Sequence, residues 1–276
     1  MGEDLSGRDL RGHDFTSRDM AGWTLAGANL ARSTLYRTNL RGADLRGIDA
    51  TGAILFGASA EGANFAGACL ARTNLRGADL SGANLEDADL SGADLHDANL
   101  NEANLDRAVL SGTILEGKVN LSGATMNGAD LRRAKASGAA LAGLALRRSN
   151  LFFADVSGAD LSDADLSESN MIWVSARAAT LIRTNLSKTE LYGAAFHGAD
   201  LSGANLSGAT AHGANFRGAR LAGADLRGAV LFGASFVGAD LDGADLSGAT
   251  VARADFGEAR LQGAKFDRHL PTHVGS

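Results

Sequence analysis

The sequence predicts an all-β solenoid, and three observations predict it. A large apolar residue returns at every fifth position, from Leu5 to Leu115 and, after one skipped residue near Lys118, from Leu121 to Phe266. Leu, Phe, Met or Val fills 48 of these 53 positions, and 33 of the 36 glycines stand two residues after them. A period of five matches neither a strand nor a helix, so neither element can run straight through and each pentad must bend.

With the large apolar residue labelled i, runs such as Ala78-Asp79-Leu80-Ser81-Gly82 and Ala199-Asp200-Leu201-Ser202-Gly203 define the unit. Positions i−2 and i lie two apart, as same-face strand residues do, and are small and large apolar respectively, so both are expected inside. Glycine at i+2 suits the second central position of a type II turn, which needs positive φ, and Asp or Asn at i−1 can bond nearby backbone. Each pentad is a short extended step and a corner.

The motif Ala-Asp/Asn-Leu-x-Gly, repeated along almost the whole chain, resembles the pentapeptide-repeat family. That resemblance implies a right-handed quadrilateral parallel β-helix with four pentads per coil, hence about 13 coils. Residues 1–266 are expected to form a single solenoid with a register shift near residue 118, and 267–276 a carboxyl-terminal tail. Coils stabilise one another by stacking, so exposed ends need cover. Arg8, His13, Arg18 and Trp23 take the i−2 positions of the first coil in place of small residues, and Leu270 and Val274 are placed to cover the last. An uncovered end would offer a surface for a homodimer. Ala50 and Ala176 at i are matched by Ile48 and Val174 at i−2, which keeps the inner volume. Lys118 reads as a one-residue bulge.

Composition narrows the function. The lone Cys69 permits no intrachain disulfide, and there is no Cys/His cluster for a metal. The six histidines do not form a set, and no nucleophile elbow, phosphate loop, zinc-protease or dinucleotide motif is present. A filled solenoid offers no interior pocket, so no enzyme activity, catalytic residue or cofactor is expected. The net charge of −6, from 32 acidic and 26 basic residues, disfavours direct nucleic-acid binding. Without a leader-like segment or a long apolar run, a cytoplasmic protein away from membranes is expected.

Residues 20 apart should stack on one face, which singles out exceptions to the repeat. After Leu121 one corner reads Arg132, Phe152, Ile172, Tyr192, His212, Phe232 at i+1 and Arg133, Phe153, Trp173, Gly193 at i+2. Exposed aromatic and arginine side chains are what protein interfaces are anchored by, so Arg132, Arg133, Phe152, Phe153, Ile172, Trp173 and Tyr192 are the candidate partner-binding residues. The competing reading is that such ladders only stabilise neighbouring coils. Tyr36, Phe56, Arg76 and His96 form a smaller ladder elsewhere.

Charge alternates along the chain. Residues 76–117 carry nine acids and two bases, 118–153 six bases and one acid, and 154–170 five acids and no base. Asp79, Glu86, Asp87, Asp89, Asp94, Asp97, Glu102 and Asp106 form a candidate acidic surface for a basic groove. A subgroup of the family, the Qnr and mycobacterial fluoroquinolone-resistance proteins, has acidic rods resembling duplex DNA that bind type II topoisomerase. The resemblance therefore implies a DNA-mimicking partner of DNA gyrase that confers resistance to quinolones or other gyrase inhibitors. The projecting loops of that subgroup are missing here, and the basic belt interrupts a DNA-like potential. The alternatives are a protein-interaction scaffold using the aromatic face, and a self-resistance protein that sequesters a small aromatic molecule.

Overall fold

Among the described residues every pentad but the one at Leu115 makes the same turn, and the hydrogen bonds show why the period is five. In the computed structural model, which describes residues 2–267, the N–H of Ala83 donates to the carbonyl of Leu80 (3.0 Å), closing the turn Leu80-Ser81-Gly82-Ala83 with Gly82 at φ 62°. Positive φ at the second central residue alone, with that bond made, is a type II turn. Most of the remaining backbone N–H groups of the pentad bond to neighbouring coils. Leu80 and Gly82 donate to the carbonyls of Asn99 and Asn101 (both 2.7 Å), and Asn84 donates to Ala63 (3.0 Å). Backbone N–H groups are thus paired between coils, within the turn or with the side chain at i−1, which lets a chain with almost no continuous strand exist without orphaned amides.

Parallel bridges join residues 20 apart, as in Asn64↔Asn84 and Asn84↔Asn104. Among the described residues only β1 (Asp245–Leu246) and β2 (Lys265–Phe266) pair over two consecutive residues. The chain forms two units, Met1–Lys135 and Ala136–Ser276. Each is a right-handed quadrilateral β-helix with four pentads per coil.

In the first unit the bulge lies where the register predicts it. Bridges before it step by 20 and those spanning it by 21, from Asn99↔Asn120 to Ile114↔Lys135. The extra residue, Lys118, is exposed, and its N–H donates to Asp97 Oδ1 at 2.7 Å. That bond pulls the Asp97 carboxyl below its ordinary pKa. At the start of the unit Arg8, His13 and Arg18 are exposed and Trp23 half-buried. Two of them stack: the Arg18 guanidinium lies 4.8 Å from the Trp23 ring centre and the His13 ring 6.0 Å from Phe15. Leu270 and Val274 lie outside the described residues.

Both interiors are filled by the two inward positions. Leu at i and Ala at i−2 are buried almost throughout, and the pairs Ile48/Ala50 and Val174/Ala176 are buried as volume compensation requires. Where Ser or Thr replaces the inner Ala, its hydroxyl donates to a backbone carbonyl, as Ser33 does to Leu30 (2.6 Å) and Thr184 to Leu161 (2.7 Å). A buried hydroxyl so paired escapes its desolvation penalty. In the second unit Phe196, Phe216, Phe236 and Phe256 stack nearly parallel, with ring centres 5.2, 4.9 and 4.9 Å apart.

Carboxylates and amides at i−1 act as expected of turn formers. Asp79 Oδ1 accepts the N–H of Ser81 (3.1 Å) and also the side-chain amide of Asn99 one coil away (2.9 Å). Several carboxyls are held low by such bonds, Asp9 down to about 2 chiefly by the Arg11 side chain. Arg183 lowers Asp163 and Arg148 lowers Glu168 in the same way. A carboxylate whose folded pKa is depressed contributes stability that is present above its unfolded value, near 4, and is lost as pH falls through the folded value. The melting temperature is therefore expected to stay level from neutral pH to about pH 5 and to fall steadily from about pH 4 to about pH 2. Each exposed pair contributes little, so the decline should be gradual, and a melting temperature unchanged at pH 2 would contradict it.

Candidate functional site

The aromatic corner belongs to the unit 136–276, and its exposure follows from the turn. Every described i+2 residue has positive φ: the 33 glycines, and 19 other residues at 51–61°. An L-residue there costs roughly 1–2 kcal/mol. Most of the 19 are charged or polar and reach into solvent; Phe153 (φ 57°) and Trp173 (φ 56°) are the only aromatics among them. The two residues are 51% and 47% exposed, Tyr192 is 50% exposed, and Phe152 and Ile172 are half-buried. Two large rings thus occupy a conformation glycine would adopt without strain, and neither is buried in exchange. Backbone strain carried by rings that stay half exposed is a pattern found at functional positions.

The rings form one continuous run. Phe152 meets Phe153 edge-on at 4.6 Å, Phe153 stacks on Trp173 at 6.3 Å, and Trp173 meets Tyr192 edge-on at 5.5 Å. Tyr192 continues to His212 at 6.4 Å and His212 to Phe232 at 6.0 Å. The Trp173 ring lies across the corner of the next coil, so a Cβ added to Gly193 would stand 2.3–2.8 Å from its atoms. Beyond Trp173 the corner opens into a surface groove of about 500 Å³, walled by Tyr192, His212 and Phe232 over Gly193, Gly213 and Gly233.

Two predicted members belong to the other unit. Arg132 and Arg133 lie in the unit 1–135, and Arg132 gives its guanidinium to Asp130 of its own pentad at 2.5 Å. Burial disfavours the Asp130 charge, but this pairing and the Arg132 N–H outweigh it and leave the carboxyl below its ordinary pKa. Arg132 is therefore committed locally. Conversely, His212, Phe232 and the glycine floor were not among the candidates. The 20-residue register had placed His212 and Phe232 on this corner, but only side-chain positions show His212 linking Tyr192 to Phe232.

The acidic candidates all lie in the first unit and are less uniform than their sequence. Arg107 bonds Glu86 and reaches Asp87 at 2.9 Å, which lowers the Asp87 pKa, and Arg76 reaches Asp94 at 3.2 Å. Asp97 is taken by the Lys118 N–H, and Asp106 accepts the Asn127 N–H at 2.8 Å. Asp79, Asp89, Asp97, Glu102 and Asp106 have no Lys or Arg ion pair among the described residues. The smaller ladder is real but short, with Tyr36 and Phe56 stacked at 5.7 Å.

Comparison with known proteins bears on the repeat. The family profile described as pentapeptide repeats (8 copies) matches in contiguous or overlapping stretches over residues 19–208 and 212–268, with one boundary falling at 117/118, where the register shifts. HetL, a pentapeptide repeat protein involved in heterocyst differentiation regulation from the cyanobacterium Nostoc sp. strain PCC 7120, is 30% identical over 98% of this chain and 92% of its own, with a TM-score of 0.20. QnrB1, a plasmid-mediated fluoroquinolone resistance protein solved as a trypsin-treated variant, is 22% identical over 82% of this chain and 90% of its own, with a TM-score of 0.32. A pentapeptide repeat protein from the Arabidopsis thaliana thylakoid lumen is 31% identical over 46% of this chain and 66% of its own, with a TM-score of 0.18. No curated protein matches.

Proposed function

Because the chain belongs to the pentapeptide-repeat family, we propose that it is a non-enzymatic protein-binding solenoid whose partner docks on the aromatic corner of the unit 136–276. The observation that carries this reading is the pair of exposed rings, Phe153 and Trp173, held at left-handed corners. Interfaces concentrate their energy in such aromatic anchors, and a ladder serving only to join coils would not need its rings where glycine is the unstrained choice. The test is affinity capture with the wild type and with a variant carrying Phe153→Ser and Trp173→Ser. The variant should keep its far-ultraviolet spectrum and lose at least about tenfold in affinity for the captured partner. Equal affinity would sink the reading.

A second reading, a DNA-mimicking partner of DNA gyrase or another type II topoisomerase, is favoured by the carboxylates of the first unit that no base neutralises, Asp79, Asp89 and Glu102 foremost. It extends to this chain the antibiotic-resistance role named for QnrB1. Arg107 and Arg76 weaken that field by pairing three of the eight acidic candidates. A supercoiling assay with purified gyrase, with and without a quinolone, separates the two: neither inhibition nor protection at micromolar protein removes the second.

A further inference from the structure

The groove beside Trp173 has a floor, two ends and an uncommitted charge. Its floor is glycine, the unstrained residue of the repeat, and open: a Cβ on Gly213 or Gly233 would meet nothing within 4 Å, and the same turn position carries Arg183 at φ 56° elsewhere in this unit. The floor amides are already used, Gly193 donating to His212, Gly213 to Phe232 and Gly233 to Ala252 at 2.9, 2.9 and 3.0 Å. A partner cannot add here as a strand. It has to be held by ring faces and charge.

Trp173 closes one end, edge-on to Tyr192. At the other, Arg253 occupies the rung after Gly233 and lays its guanidinium over Phe232, 5.2 Å from the ring centre. Arg220, Arg227 and Arg260 in nearby coils pair with carboxylates, whereas Arg253 has none within ion-pair distance among the described residues. An unpaired guanidinium at the end of an aromatic groove complements an anionic group on whatever lies along it.

The spacing selects the conformation of that partner. Rungs of a parallel ladder are about 4.8 Å apart, so Tyr192 and Phe232, two coils apart, are separated by about 9.6 Å along the groove. A polyproline II helix repeats every three residues at about 3.1 Å each, or about 9.3 Å per turn, and asks for no backbone hydrogen bonds. The four steps between the five rungs from Trp173 to Arg253 span about 19 Å, the length of about six such residues. We propose that this groove binds a proline-rich segment of a protein partner in the polyproline II conformation, with prolines three apart on Tyr192 and Phe232 and an acidic residue at Arg253. The proposal rests on the reading of this corner as the protein-binding face.

The test uses the full chain and a blocked synthetic peptide of six prolines followed by two glutamates, titrated by calorimetry. Binding is expected. It should weaken at least about tenfold when the prolines become glycines, because preorganisation is lost, and about fivefold when the glutamates become lysines. Gly213→Arg should block the floor and reduce binding at least about tenfold with little change in melting, since Arg already occupies this turn position. Arg253→Gln should remove the preference for glutamate over lysine. No heat at millimolar peptide, equal binding of the glycine peptide, or unaltered binding by Gly213→Arg would overturn the proposal. A concentration-dependent mass in sedimentation that Gly213→Arg abolishes, with no peptide binding, would assign the groove to a second copy of the chain and overturn it too. A silent peptide with partner capture still dependent on Phe153 and Trp173 removes only the ligand class; capture independent of both rings removes the face itself.

Discussion

Phe216→Ala is expected to destabilise the unit 136–276 by about 3–5 kcal/mol, the cost of emptying a buried aromatic site that cannot collapse. Phe216 is fully buried and sits between Phe196 and Phe236, at 5.2 and 4.9 Å with the rings within 6° of parallel. One truncation therefore breaks two ring contacts, each worth about 0.5–1.5 kcal/mol beyond buried area. In a solenoid the loss falls on the interfaces joining a coil to its neighbours, which are the terms that hold the structure together. Phe216→Leu is the control, because Leu fills most equivalent positions and should cost less than about 1.5 kcal/mol. Urea unfolding followed by circular dichroism measures both. Equal effects of the two substitutions would mean that the phenylalanine column packs no better than the ordinary leucine interior.

Trp173→Gly should do the opposite: little to stability and much to binding. Leaving a left-handed backbone free of its side chain relieves roughly 1–2 kcal/mol of strain. Against this stand about 0.4–1 kcal/mol of added freedom in the unfolded chain and the lost contact with Tyr192. The sum should lie within about 1 kcal/mol of zero, while affinity for a partner on this corner falls at least about tenfold. Gly193→Val tests the same contact from below. A side chain there enters at φ 62° and overlaps the Trp173 ring, so it should destabilise the unit and displace the indole, visible as a change in tryptophan fluorescence. A loss of several kcal/mol in Trp173→Gly would instead make the ring a structural brace between coils.

The contrast between these residues shows how far the repeat could be read. Phe216 at i and Trp173 at i+2 were assigned to interior and corner by counting in fives, and the structure places both there. The bulge followed from the same count, because one extra residue displaces every later position. What counting could not supply was how side chains divide among competing neighbours. Arg132 bonds Asp130 two residues back, and Arg107 from the next coil holds both Glu86 and Asp87. Each choice depends on rotamers that a repeat leaves open.

By itself, then, the sequence determined the backbone: a type II turn in each regular pentad, glycine or a strained substitute at its third residue, small and large apolar residues inside, and a step of 20, or 21 across the bulge, that aligns each corner with the next. These follow from local sterics and hydrogen bonding, which act over five residues and repeat. Only the tertiary structure decided that Trp173 falls across Gly193, that His212 joins Tyr192 to Phe232, and that Arg253 rests on a ring instead of a carboxylate. Those outcomes depend on contacts between residues about one coil apart, where several partners lie within reach and packing selects among them.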